Sequence, residues 1–233
     1  MIRPLLILGL LLAGAGCAKF PAVTDSDFTK RLLFTMQVDG KLRTGLGAGE
    51  GGLPYVYINA LRVSTEISPT DDGPIPITIP GGNGFVAGNA THFILWDPLS
   101  SPQFQIWQFL DENLETYNQT GVPLDFLPIQ DGDDTLAFEI DLSQLVPAID
   151  VDTIQSIQVN FLTMNNRNVS GGGRLWDALG DGRIPNEVNS YFTFQPSFST
   201  TYSNASIGNL EPSEDVVDPD LDIIDWSIEV RLP

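Results

Sequence analysis

Cysteine and histidine are almost missing from this chain, with one of each, Cys17 and His92, in 233 residues. A lone cysteine excludes an internal disulfide, so stability has to come from the core. Zinc sites usually need imidazole or thiolate among three or four ligands, and this chain cannot supply that set. Cysteine nucleophilic catalysis is excluded with it. A serine triad would have only His92 as its base, and no Gly-x-Ser-x-Gly elbow is present. Positive charge is scarce as well: 11 Lys and Arg stand against 30 Asp and Glu, a formal charge of −19. Such a surface is repelled by phosphate, which excludes nucleic acid as a partner. Long apolar runs are also missing. A membrane-spanning helix needs about 20 apolar residues, and Pro4 to Ala18 supplies 15, ending in glycines before Lys19.

What that N-terminal stretch does contain is ordered. Met1-Ile2-Arg3 is a short basic start, Leu5 to Leu12 is apolar apart from Gly9, and Ala13-Gly14-Ala15-Gly16 leads into Cys17. Basic, apolar and small-residue regions in that order predict a signal peptide over residues 1–16. The small residues before Cys17 resemble the lipobox of bacterial lipoproteins, with Gly14 where leucine is usual; a plain signal peptide with an incidental cysteine is the competing reading. The resemblance implies that Cys17 carries a diacylglyceryl group and becomes the acylated N-terminus. It also implies a protein held in the cell envelope, with Ala18, rather than aspartate, pointing to the outer membrane of a Gram-negative bacterium. Two acyl chains suffice for stable attachment where one does not. Residues 17–31 then form a short tether, whose last fourteen residues reach about 50 Å when fully extended.

Residues 32–233 read as one domain. Leu32, Phe34, Met36 and Val38 alternate with polar neighbours, as do Leu136, Phe138, Ile140 and Leu142 against Thr135, Glu139 and Asp141. Ile157, Val159 and Phe161 alternate with Gln158 and Asn160, and Ile224, Trp226, Ile228, Val230 and Leu232 close the chain in the same rhythm. This period of two is the mark of half-buried strands. Further strands are predicted at 55–63, 75–79, 91–96, 103–110 and 191–194, with one helical turn at 143–146. Glycine and proline cluster between them, at 45–54, 71–76, 80–84 and 171–173. The expectation is an all-β fold, a single antiparallel β-sandwich of jelly-roll or immunoglobulin-like layout.

Acidic side chains gather at turns: Asp131, Asp133 and Asp134; Asp177 and Asp181; and the run from Glu214 through Asp218, Asp220 and Asp222. Closely spaced aspartates on a turn are what calcium takes, since it binds six to eight hard oxygens. The spacing from Asp218 fails as an EF-hand, because Ile223 stands where glycine is essential and Pro219 intrudes. Solvated turn aspartates are the alternative. Among the four tryptophans, Trp96, Trp107 and Trp226 fall in strand-like runs and belong to the core. Trp176 follows Gly171-Gly172-Gly173-Arg174 and is expected in a loop, where it and Arg174 are the candidate ligand contacts.

Leu175-Trp176-Asp177-Ala178-Leu179-Gly180-Asp181 and Asp218-Pro219-Asp220-Leu221-Asp222-Ile223-Ile224-Asp225-Trp226 resemble segments of bacterial lipoproteins with β-sandwich domains. The general layout is similar to DOMON and family-nine carbohydrate-binding modules, a resemblance that implies sugar binding without haem. The leading expectation is therefore a non-enzymatic, lipid-anchored module that binds a glycan or another envelope component, with calcium as its only cofactor if any. Two alternatives stand beside it. One is a glycan hydrolase using two carboxylates about 5 to 10 Å apart; the other is an assembly lipoprotein with a protein partner.

Overall fold

Side chains that alternate in the sequence become strands that bury one face. The computed structural model describes residues 30–45, 55–70, 72–77, 82–165, 175–184 and 190–233. The signal peptide, Cys17, most of the tether, most of the 45–54 loop and Arg174 lie outside the described residues. The strands are β1 (Arg31–Val38), β2 (Val56–Ser64), β3 (Pro74–Pro76), β4 (Val86–Gly88), β5 (His92–Trp96), β6 (Phe104–Phe109), β7 (Tyr117–Gly121), β8 (Asp125–Phe126), β9 (Thr135–Asp141), β10 (Ser156–Met164), β11 (Trp176–Ala178), β12 (Phe192–Phe194), β13 (Thr200–Ser203) and β14 (Ile223–Arg231). The fold is all-β and antiparallel. One sheet has the order β13-β14-β1-β9-β8; the other runs β11-β10-β2-β5-β6-β7, with β12 also on β10; β3 and β4 form a separate hairpin.

The two large sheets share one core. Phe34 of β1 stacks on Phe138 of β9 at 5.3 Å between ring centroids and meets Phe161 of β10 edge-on at 6.4 Å. Phe161 in turn lies 5.4 Å from Trp226 of β14. Aromatic pairs of this kind add about 0.5–1.5 kcal/mol each beyond their buried area. A second apolar cluster lies on the opposite face of the larger sheet. There Val56, Ile58, Phe93, Leu95, Leu162 and Met164 are covered by Phe85 and Val86 from the β3–β4 hairpin and by Leu114. Asn160 ties that cover down by donating to the carbonyls of Pro74 (3.0 Å) and Ser190 (2.9 Å).

That cover corrects the sequence reading of β10. All nine of its residues are buried, Gln158 and Asn160 included, because the strand is central and roofed on both sides. β9 differs in a similar way. Glu139 points away from the core as expected, yet it is only 1% exposed and accepts from Arg31 (3.1 Å) and Arg231 (2.8 Å). The helical turn sits one residue early, as a 3-10 turn at Leu142–Gln144. Asp141 caps it through the Ser143 amide, and Gln144 reaches back to the Asp141 amide, a reciprocal box. Trp176 is not in a loop. It opens β11 opposite Met164 and packs half-buried against the second cluster, because Trp176–Ala178 pair with the end of β10.

Candidate functional site

Three segments converge near the far end of β1, where Asp39 donates to the Asp222 carbonyl at 2.9 Å. β11 contributes Asp177, the β13–β14 connection contributes Glu211 and Asp215, and Asp222 stands just before β14. Oxygens of Asp177, Asp215 and Asp222 all lie within 4.8 Å of one another. Asp177 is inward-facing and 1% exposed; it accepts from Ala178 at 2.8 Å and, across the gap between sheets, from the Ile223 amide at 2.7 Å. Asp222 accepts from Glu214 at 2.8 Å, and Asp215 accepts from Gly182 at 2.7 Å. Glu211, 1% exposed, accepts from Gly180 through one oxygen at 3.0 Å. Its other oxygen, Oε1, is buried with no hydrogen-bond partner, and so is Oδ1 of Asp215.

The local sequence explains this convergence. Gly180 sits at φ 112°, a conformation glycine adopts freely, and in it the amide is aimed at Glu211. A Cβ on Gly182 would lie 3.0 Å from Asp215 Oδ2, so the close approach of that carboxylate requires glycine. The electrostatics follow from burial. Desolvation raises Asp177 well above the usual carboxylate range, with the Asp215 charge adding to it and the Ile223 and Ala178 amides opposing. Desolvation likewise pushes Glu211 up to about 12, helped by Asp177 and Asp215, and Asp215 up to about 6. These groups repel one another unless protons or a cation lie among them.

Of the sequence candidates, Asp177 and Asp222 therefore meet, while Asp215 and Glu211 complete the group. The others go elsewhere. Asp218 accepts from the Tyr55 hydroxyl, and Asp220 pairs with Arg43 and accepts from the Lys41 amide at 2.8 Å. Asp181 is held by Arg183 through two bonds of 2.8 and 2.9 Å, which lower its pKa. Asp131 lies 4.0 Å from Lys41, Asp133 accepts from the Gln130 amide at 2.8 Å, and Asp134 accepts from Gln37 at 3.0 Å. Glu211 carries no sequence signal beyond its acidity, whereas the Gly180-Asp181-Gly182 turn beside Asp177 is a visible one.

The opposite end of the larger sheet holds a cleft of about 750 Å³, beside the start of β1. Val63, Leu145, Val146 and Ile154 make an apolar floor; Arg62, Gln108, Asp111, Glu112 and Asp150 stand among its polar groups. His92 lies at its base, buried, with Nδ1 2.9 Å from Thr91 Oγ1. Burial lowers its pKa to about 4, so the ring is neutral at physiological pH. No family model, curated protein or solved structure matches this chain. Within the cleft, hydrogen bonds from Thr116 and nearby backbone amides lower the pKa of Asp111.

Proposed function

We propose that this chain is a lipid-anchored, non-enzymatic protein of the cell envelope that binds a glycan in the cleft around His92. The composition of the cleft carries this reading: an aliphatic floor for the faces of sugar rings beside side chains that exchange hydrogen bonds with hydroxyls. Asp111, Glu112 and Asp150 outnumber Arg62, so a neutral or amine-bearing saccharide is favoured over an acidic one. The close-set carboxyls that a hydrolase would use belong to the buried cluster at the other end, which speaks for binding rather than turnover. Attachment rests on the lipobox resemblance at Cys17, with the outer membrane as the destination.

Calorimetric titration with neutral, amine-bearing and acidic oligosaccharides tests the reading. Saturable heat is expected with the first two classes, and loss of it in Val146→Trp, which fills the cleft. No heat with any class, or turnover of chromogenic glycosides, would sink it. A second reading, a protein partner, draws on Ile67 (57% exposed) and Phe198 (62% exposed), which flank a smaller hollow of about 410 Å³. Specific crosslinks from this hollow in cells, with no glycan binding, would favour that alternative.

A further inference from the structure

The structure assigns a calcium site to Asp177, Glu211, Asp215 and Asp222, independently of what the cleft binds. Three observations lead there. First, oxygens of three carboxylates, one from β11 and two from the β13–β14 connection, fall within 4.8 Å of one another. Charge repulsion alone would drive them apart. Second, Glu211 is buried beside the charges of Asp177 and Asp215, and its Oε1 has no partner. A buried acceptor left unpaired costs on the order of a lost hydrogen bond or more, and a cation among these carboxylates satisfies it. Third, among the described residues no lysine or arginine forms an ion pair with any of the four, although Arg183 senses Asp215 and Asp222.

The backbone amides of Gly180 and Gly182 each hold one oxygen of Glu211 and Asp215, and those of Ala178, Ile223 and Glu214 fix Asp177 and Asp222 beside them. All donors are hard oxygens, and among the described residues no imidazole or thiolate joins them, a set that suits calcium or magnesium rather than zinc or copper. Four carboxylates from strand β11 and the β13–β14 connection suit the flexible six- to eight-oxygen shell of calcium better than the strict octahedron of magnesium, with water completing the shell. Bound there, calcium fastens β11 of the larger sheet to the β13–β14 connection of the smaller one. The ion is a clasp between sheets.

The full chain in mild detergent, freed of metal with a chelator, is titrated with calcium chloride and, separately, magnesium chloride. The expected result is one calcium per chain with half-saturation at or below about 1 mM, weaker magnesium binding, and a higher melting temperature with calcium. Glu211→Gln and Asp215→Asn each weaken binding at least tenfold, whereas Asp131→Asn, outside the cluster, leaves it unchanged. Glu211→Gln replaces a buried carboxyl, so its melt in chelator establishes that it is folded when binding is read. Absence of saturable calcium binding to the folded wild-type chain overturns the assignment. So does binding that survives both cluster variants or is lost in Asp131→Asn.

Discussion

Held free of divalent metal, this protein should melt at a lower temperature as pH rises from 5 to 7.5, the reverse of what salt-bridged carboxylates impose. The source is the cluster of Asp177, Glu211, Asp215 and Asp222. A carboxyl whose pKa is raised by folding keeps its proton in the fold and releases it on unfolding. Its stabilising share is complete below the unfolded pKa and drains away as pH climbs toward the folded one. Glu211 moves from 4.5 to about 12, so its window opens near 4.5 and covers the whole neutral range. One proton corresponds to ~1.4 kcal/mol per pH unit, hence about 3 kcal/mol between pH 5 and 7. Asp215 moves from 3.8 to about 6 and acts only between those values; it is half in water, which limits its share to about 1 kcal/mol. Asp177 acts in the same direction, and Arg183, cationic throughout, softens the fall. His92, lowered by burial from 6.5 to about 4, opposes them by about 2 kcal/mol between pH 5 and 6.5, so at ~2–4 °C per kcal/mol for a chain of this size the melting temperature drops by about 5 °C. Scanning calorimetry in chelator measures it, with Glu211→Gln as the control that removes one proton from the slope. A melting temperature that stays level or rises over this range, or an equal slope in Glu211→Gln, refutes the reasoning.

Other perturbations test the fold and the anchor. Phe161→Ala removes a ring that touches both Phe34 and Trp226 and should cost about 3–5 kcal/mol in urea unfolding, with the fold retained. Arg231→Met leaves Glu139 buried with Arg31 alone and should cost about 3 kcal/mol, most of it recovered when Glu139→Leu is added. Deleting 225–233 removes most of β14 from between β13 and β1, and cooperative melting should vanish. In cells, Cys17→Ser should abolish incorporation of labelled palmitate and move the protein from the membrane to the soluble fraction.

Strands that bury one face over seven or more residues could be read directly. β1, β9 and β14 place Leu32, Phe34, Leu136, Phe138, Trp226 and Ile228 inward at strict intervals of two. Three-residue strands have no interval to read, which is why β4 and β11 were not visible, and Tyr117-Asn118-Gln119-Thr120-Gly121 of β7 offers no apolar alternation. The carboxylate cluster was half legible. Asp177 and Asp222 stood out as turn aspartates, but so did Asp131, Asp133 and Asp134, which end with other partners. Along Asp218, Asp220 and Asp222, equal spacing suggests a common side. The chain instead turns there, with the Asp218 carbonyl accepting from Leu221 and Asp222, so Asp218 and Asp220 meet Tyr55 and Arg43 while Asp222 meets Asp177. Glu211 is buried by contacts distant in sequence, and composition alone carries no trace of that.

Arg31 faces Arg231 because the first strand of the smaller sheet lies between the last strand and β9. While the chain is being made, β1 therefore has one of its two neighbours missing until nearly every later residue has been synthesised. Pairings this far apart in sequence close late and slowly. Such an order of assembly leaves the smaller sheet open, with unpaired backbone along β1, until synthesis is almost over.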